Sequence, residues 1–179
     1  SYGFAQVVTI PAANTAGTGN STVGRKPYGN WWGYERSAAI YTAAEVGYPG
    51  TISALGFYVE SLSSPADSTP VKIYLKHSPS ASFGSAATYA SEIASASLVF
   101  SGNIYATDLV AGAWITTTLD STFFYNGTQN LVVLVETNGG STGIEGQYGK
   151  QFRYSTQGSN SFQYWRSEEH TSELQSRQY

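Results

Sequence analysis

Residues 130–136 read Asn-Leu-Val-Val-Leu-Val-Glu, and this stretch decides the fold class of the chain. Its interior is entirely aliphatic, which predicts a central strand that is covered on both faces. A second stretch, Pro70–Lys76, alternates instead, because Val71, Ile73 and Leu75 are separated by polar or amphipathic residues. Alternation with a period of two predicts a strand with one buried face.

Further short runs rich in β-branched and aromatic residues predict strands, and turn sequences separate them. These runs are Ala5–Ile10, Ser37–Thr42, Ile52–Glu60, Leu98–Ser101, Ala113–Leu119, Phe152–Ser155 and Phe162–Trp165. Ala86–Ala96 is rich in alanine but lacks an apolar stripe, so we expect a loop with one helical turn there. About nine short strands with polar turns predict an all-β chain, an antiparallel β-sandwich of the jelly-roll type with little helix.

The composition excludes several classes of protein. Nine Lys and Arg against twelve Asp and Glu give a net charge of −3, which provides no basic patch for nucleic acid or anionic membranes. The absence of cysteine excludes disulfides and thiolate chemistry. No apolar run approaches the length of about 18 residues that predicts membrane insertion. Few charged residues and many tyrosines are typical of extracellular β-proteins, so we expect secretion or cell-surface display, with a signal peptide removed.

The end of the chain has a different character. Residues 166–176 read Arg-Ser-Glu-Glu-His-Thr-Ser-Glu-Leu-Gln-Ser. This string resembles the translation of an adapter oligonucleotide used in short-read DNA sequencing. We therefore expect residues 166–179 to be an artefactual tail. Residues 1–165 are expected to form a single β-sandwich domain, in which residues 1–36 contain an N-terminal strand and a loop rich in glycine and aromatic residues.

Several strings, taken in their order and spacing, resemble one family. They are Ser37–Gly47, Gly50–Phe57, Val71–His77, Phe124–Glu136 and Arg153–Ser155. They are similar to the jelly-roll-like β-sandwich modules of surface and secreted proteins that bacteria export by the type IX route. The resemblance covers roughly residues 15–165 and implies a non-catalytic extracellular module. Family members usually continue past the position of Trp165 into one more strand.

Residues that carry catalytic chemistry are few. The only histidine before the tail, His77, follows Lys76 at a predicted strand end, and no Gly-x-Ser-x-Gly elbow occurs. We therefore interpret His77 as a surface residue and expect no enzyme. A glycosidase would require a pair of carboxylates, and acidic residues are scarce.

Three oxygen-bearing side chains, Glu136, Asn138 and Glu145, flank a glycine-rich loop. Oxygen ligands on a loop suit a structural Ca²⁺, although no Asp-x-Asp-x-Asp-Gly pattern is present. The alternative is a polar hairpin loop with solvated carboxylates. No other cofactor is expected.

The aromatic residues Tyr28, Trp31, Trp32 and Tyr34 form the strongest candidate for a contact site. One interpretation is that they cap one end of the sandwich, with an indole N–H finding a partner. A second is a contact with another protein, because tyrosine and tryptophan dominate binding hot spots. A third is an exposed platform that stacks on sugar rings.

Two further residues are candidates for modification. The segments Asp67-Ser68-Thr69 and Asp120-Ser121-Thr122 resemble the short pattern that this bacterial group O-glycosylates during export. That resemblance implies Ser68 and Ser121 as acceptor residues.

Together these features favour a non-catalytic structural or adhesive protein, the self-assembling subunit of an extracellular fibre, tube or surface layer. The expected partners are copies of the same chain or other surface proteins. The alternative is a carbohydrate-binding or adhesin module of a larger secreted protein, with glycans as partners. Neither hypothesis involves nucleic acid or membrane insertion.

Overall fold

A computed structural model describes residues 6–11, 24–139, 143, 145, 149–155 and 159–166. Its eight strands form two antiparallel sheets that pack against each other around one main core. The prediction of an all-β antiparallel sandwich with little helix is therefore confirmed. Neither described helix has the length or apolar character needed to cross a bilayer.

The strands are β1 (Tyr34–Tyr41), β2 (Gly50–Leu62), β3 (Ser68–Ser78), β4 (Ser97–Tyr105), β5 (Ala113–Tyr125), β6 (Asn130–Asn138), β7 (Lys150–Phe152) and β8 (Phe162–Arg166). The α-helices are α1 (Ala43–Val46) and α2 (Tyr89–Ile93), and a 3₁₀ turn spans Ala106–Asp108. One sheet has the order β4-β3-β6-β1-β8, and the other has the order β5-β2-β7. Among the described strands, only the β3–β4 connection stays within one sheet, and the other connections cross between the sheets.

Strand β6 lies at the centre of the larger sheet and is buried on both faces, as predicted. Leu131, Val133 and Val135 join the main core between the two sheets. Val132 and Leu134 face the other way, into a second apolar cluster that includes Tyr89 of α2 and Trp165. The segment that contains α2 therefore covers part of the outer face of the larger sheet.

Strand β3 confirms the alternation seen in the sequence. Val71, Ile73 and Leu75 are at most 2% exposed and lie in the main core. In β2, Val59 is fully buried, and Leu55 and Phe57 pack against the same core. A period of two in the sequence thus identified the inward face of both strands.

Some predicted boundaries are wrong. Of the predicted strand Ala5–Ile10, the described residues 6–10 form no strand. Val7 there is 85% exposed, and Ile10 packs against the main core. Strand β5 continues past Leu119 to Tyr125, because it pairs again with β2 beyond a bulge. Strand β7 covers residues 150–152, whereas the sequence predicted residues 152–155.

Helix α1 was not predicted, although a local signal was present. Thr42 accepts a hydrogen bond from the backbone of Glu45, whose carboxylate accepts from the backbone of Thr42 in return. This reciprocal pair is a capping box, which the spacing Thr-x-x-Glu identifies in a sequence. Helix α2 fits the single helical turn expected within Ala86–Ala96.

Strand β8 pairs with β1 at the end of the larger sheet. Residues 167–179, where the adapter-like tail continues, lie outside the described residues, as do residues 12–23 of the predicted N-terminal loop. The strand that the family resemblance places after Trp165 also falls in that undescribed region.

Candidate functional site

Residues 24–33 lie across the side of the sandwich at which β7 and β8 are the outermost strands. The Gly24 carbonyl accepts a hydrogen bond from the Phe152 amide in β7. The Lys26 ammonium lies 5.8 Å from the centre of the Tyr164 ring in β8. We call β7, β8 and residues 24–33 the closed side, because this segment hydrogen-bonds to the edge of β7 and a covered edge is removed from solvent.

A buried cluster of charges fixes this segment to β1. The Glu35 carboxylate is 1% exposed and accepts hydrogen bonds from Arg25 Nε, at 2.9 and 3.2 Å, and from Lys26 Nζ. Buried charges are tolerated when they are paired and hydrogen-bonded, and removing one partner is strongly destabilising. The cluster therefore stabilises the attachment of residues 24–33 to β1.

Tyr28 belongs to the core and is no part of an exposed platform. It is fully buried, with its ring edge-to-face on Phe57 at 5.3 Å and on Phe152 at 5.6 Å. Its hydroxyl lies 3.0 Å from Thr117 Oγ1. Burial raises the pKa of Tyr28 above the ordinary value of 10.0, and the hydrogen bond to Thr117 partly opposes this shift.

The rings of Trp31 and Trp32 contact each other, whereas Tyr28 lies apart from them in the core. Their rings meet edge-to-face at 5.8 Å, and Trp32 is 44% exposed. Tyr34 begins β1, opposite Asn138, and is half-buried. The predicted aromatic group is thus divided, because Tyr28 lies in the core, Trp32 is exposed, and Trp31 and Tyr34 are half-buried. A contact of Trp31, Trp32 or Tyr34 with a ligand or another protein stays a prediction.

Glu145, one of the three predicted calcium ligands, forms a second buried ion pair. Its carboxylate accepts hydrogen bonds from Lys150 Nζ at 2.5 Å, from the Asn30 amide at 2.5 Å and from the Ala66 amide at 3.3 Å. Lys150 Nζ also donates to Thr69 Oγ1 at 2.7 Å. Burial lowers the pKa of Lys150, and Glu145 opposes that shift.

Glu136 and Asn138, the other two predicted ligands, line a groove of about 220 Å³ together with Lys72. Glu136 is paired with Arg36, at 3.0 Å from Nε to Oε2. Glu136 and Glu145 are therefore held by different cations. In the described part of the chain, no three His, Asp or Glu side chains are grouped as metal ligands. Calcium binding stays a prediction.

His77 lies within β3 and is half-buried, so its interpretation as a surface residue after a strand is wrong. Its Nε2 accepts a hydrogen bond from the Asn126 amide at 3.1 Å. Its ring stacks on Tyr125, with 5.8 Å between the centroids and 22° between the planes. The imidazole therefore holds the turn between β5 and β6.

The two candidate O-glycosylation residues differ in exposure. Ser68 begins β3 and is half-buried, whereas Ser121 is exposed in β5. Next to Ser121, the Asp120 carboxylate accepts a hydrogen bond from the Ser101 amide in β4, at 2.8 Å. Both modifications stay predictions.

Strands β4 and β5 form the opposite side of the sandwich, and each is the outermost strand of its sheet. They are 9 and 13 residues long. We call β4, β5 and their connection, residues 106–112, the open side. Residues 97–125 contain no Lys or Arg, and their only charged residues are Asp108 and Asp120.

The open side also collects exposed apolar side chains. Nine large apolar residues are exposed in the described part of the chain, and five of them lie between residues 97 and 125. The five are Leu98, Tyr105, Val110, Trp114 and Phe124. Exposed apolar side chains indicate an interaction surface where they form a contiguous patch. The sequence pattern missed this region, because alternation cannot say which outward side chains another layer covers.

The outer face of the smaller sheet carries a second aromatic group. The rings of Trp114 and Tyr58 meet edge-to-face at 5.7 Å and 84°. The Arg153 guanidinium lies 3.9 Å from the Tyr58 ring centre and forms an ion pair with Glu60 at 2.8 Å. Trp114 remains 45% exposed.

Comparison of the chain with protein-family models, with curated proteins and with solved structures finds no match.

Proposed function

We propose that this chain is a non-catalytic structural and adhesive protein of the cell exterior that self-associates through its open side. The observation that carries the proposal is the pair of long, adjacent edge strands with few charges. Proteins commonly protect such edges with lysine, proline or a covering segment, since an uncovered edge pairs with other chains.

A contact between unlike surfaces extends this association into a fibre, tube or layer. The exposed Trp32 belongs to residues 24–33, which are part of the closed side. Contact between the open side of one copy and the Trp31–Trp32 pair of the next is heterologous. Heterologous contacts repeat into rings or open filaments, whereas a self-complementary contact stops at a pair.

An extracellular location is supported by the low charge content and by the family resemblance of residues 15–165. The function as an assembly subunit is supported by the open side alone.

The experiment compares wild-type protein with the Leu98→Lys/Tyr105→Lys variant by sedimentation velocity and negative-stain electron microscopy. Both side chains are exposed, at 48% and 49%, so the lysines change the edge and leave the core intact. We expect the wild type to form concentration-dependent polymers and the variant to stay monomeric. Val7→Lys is the matched control, since Val7 is exposed and lies outside the open side.

Two results contradict the proposal. One is a wild-type protein that stays monomeric at high concentration under all solution conditions tried. The other is a polymer that the two lysines leave unchanged, which places the contact elsewhere.

A further inference from the structure

The outer face of β2 and β5 carries a row of aligned outward positions that self-association through strand edges does not use. Trp114, Thr116 and Thr118 alternate along β5 and are exposed, while Ile115, Thr117 and Leu119 between them are buried. Opposite them in the register lie Tyr58, Gly56 and Ala54 of β2. The row therefore begins with the rings of Trp114 and Tyr58. It continues with threonines on β5, which lie opposite a glycine and an alanine on β2.

The indole of Trp114 lies against the glycine of the neighbouring strand. A Cβ atom at Gly56 would come within 3.4 Å of Trp114 Cε3 and 3.6 Å of Thr116 Oγ1. Glycine in a strand often marks a place at which a ligand approaches the backbone closely. Gly56 and Ala54 therefore place only small side chains beside the indole, and we call the surface formed by Ala54, Gly56, Thr116 and Thr118 the trough.

An ion pair between Arg153 and Glu60 holds the Tyr58 ring in place at the aromatic end of the row. Arg153 packs over Tyr58 at 3.9 Å, and its charge is balanced by Glu60. The two side chains are 22% and 27% exposed, so they present donors and acceptors without a net charge. Because the ion pair has no net charge, it does not favour an anionic ligand over a neutral one.

We propose that this trough binds a neutral pyranose oligosaccharide, with one sugar ring stacked on Trp114. Sugar rings combine a C–H face, which suits the electron-rich face of an indole, with hydroxyls at the rim. The Thr116 and Thr118 hydroxyls and the Arg153–Glu60 pair supply the matching hydrogen-bonding groups. A protein hot spot is instead surrounded by contacts that exclude water, and the small polar neighbours of Trp114 do not provide them.

The glycan proposal does not rest on self-association, and one pair of variants distinguishes glycan binding from self-association. Trp32 and Trp114 are almost equally exposed, at 44% and 45%, but only Trp114 lies beside the trough. Trp114→Ala should remove glycan binding, whereas the Leu98→Lys/Tyr105→Lys variant should lose polymers and retain glycan binding. Trp32→Ala should preserve glycan binding.

The test begins with an array of neutral and anionic glycans. It continues with titrations of cellohexaose, laminarihexaose and xylohexaose into the protein. Isothermal titration calorimetry and amide chemical shifts measure the binding. We expect at least one neutral hexasaccharide to bind, and Trp114→Ala to weaken that binding by about tenfold or more. Trp32→Ala should change it by less than about twofold.

Thr118→Tyr is the second variant, because it fills the trough from an exposed position and leaves Trp114 in place. It should also weaken binding by about tenfold. Three outcomes overturn the proposal: no binding of any neutral glycan, a preference for anionic glycans, or binding that both Trp114→Ala and Thr118→Tyr leave unchanged.

Discussion

The two sides of the sandwich treat their sheet edges in opposite ways. On the closed side, residues 24–33 hydrogen-bond to the short strand β7 and are held by buried charges at Glu35 and Lys150. On the open side, β4 and β5 are long and are joined to each other by the Asp120–Ser101 hydrogen bond. Covering an edge stabilises the subunit, whereas an uncovered edge remains available to a neighbour. We infer that the closed side supplies stability and the open side supplies association.

The largest effect is expected where a buried charge of the closed side loses its partner. Lys150→Met leaves the Glu145 carboxylate, which is 1% exposed, without its cation. The free energy of unfolding should fall by about 3–5 kcal/mol, measured by urea denaturation. Adding Glu145→Gln to this variant should restore part of the loss.

Arg153→Met is the matched control for Lys150→Met. It removes a cation from a partly exposed ion pair, so it should cost less than about 1 kcal/mol. Equal losses in the two variants would remove the distinction between buried and partly exposed pairs.

A second effect on stability appears only at alkaline pH. Burial raises the pKa of Tyr28 and Tyr89 above 10.0 and that of Tyr41 to about 12. Above pH 10 these tyrosines ionise in the unfolded chain before they ionise in the folded one. Stability is therefore present below about pH 10 and is lost as pH rises, at about 1.4 kcal/mol per pH unit for each tyrosine. The lowered pKa of Lys150 makes stability rise with pH, but only below the ordinary lysine value of 10.5.

Tyr28→Phe tests this assignment through urea midpoints measured between about pH 8 and 12. The variant should lose about 1 kcal/mol at neutral pH, because the hydrogen bond to Thr117 is absent. Its stability should then fall less steeply above pH 10, by about one proton. An unchanged slope would show that Tyr28 ionises normally in the folded protein.

The smallest stability effect is expected on the open side. Each lysine in Leu98→Lys/Tyr105→Lys replaces an exposed side chain and should change stability by less than about 0.5 kcal/mol. A variant that no longer assembles but retains its stability would sharpen the contrast between the two sides. A large loss of stability would show that the open side also carries folding energy.

Local patterns in the sequence were sufficient for the sandwich and for its central strands. The aliphatic run in β6 and the alternation in β3 report burial directly, because a strand has a period of two. The closed side had no such signal. Glu35 pairs with Arg25 across a turn, and Glu145 reaches the Asn30 amide from a distant part of the chain. Only the fold brings these groups together.

The aromatic residues show the same limit on prediction from sequence. Tyr28 and Trp32 lie four positions apart, yet one is fully buried and the other is 44% exposed. Trp114 belongs to an ordinary alternating run, and its exposure follows from the absence of a described layer over the outer face of β2 and β5. Neither difference is readable from residue type.

The most direct test of the account is amide hydrogen exchange, compared between monomer and assembled protein. We predict that amides of residues 97–105 and 113–125 gain protection on assembly, because the neighbouring copy covers these strands. Amides of residues 150–152, already covered by the segment that contains Gly24, should not change. Assembly that leaves residues 97–125 unprotected while protecting residues 150–152 or 162–166 would contradict the account.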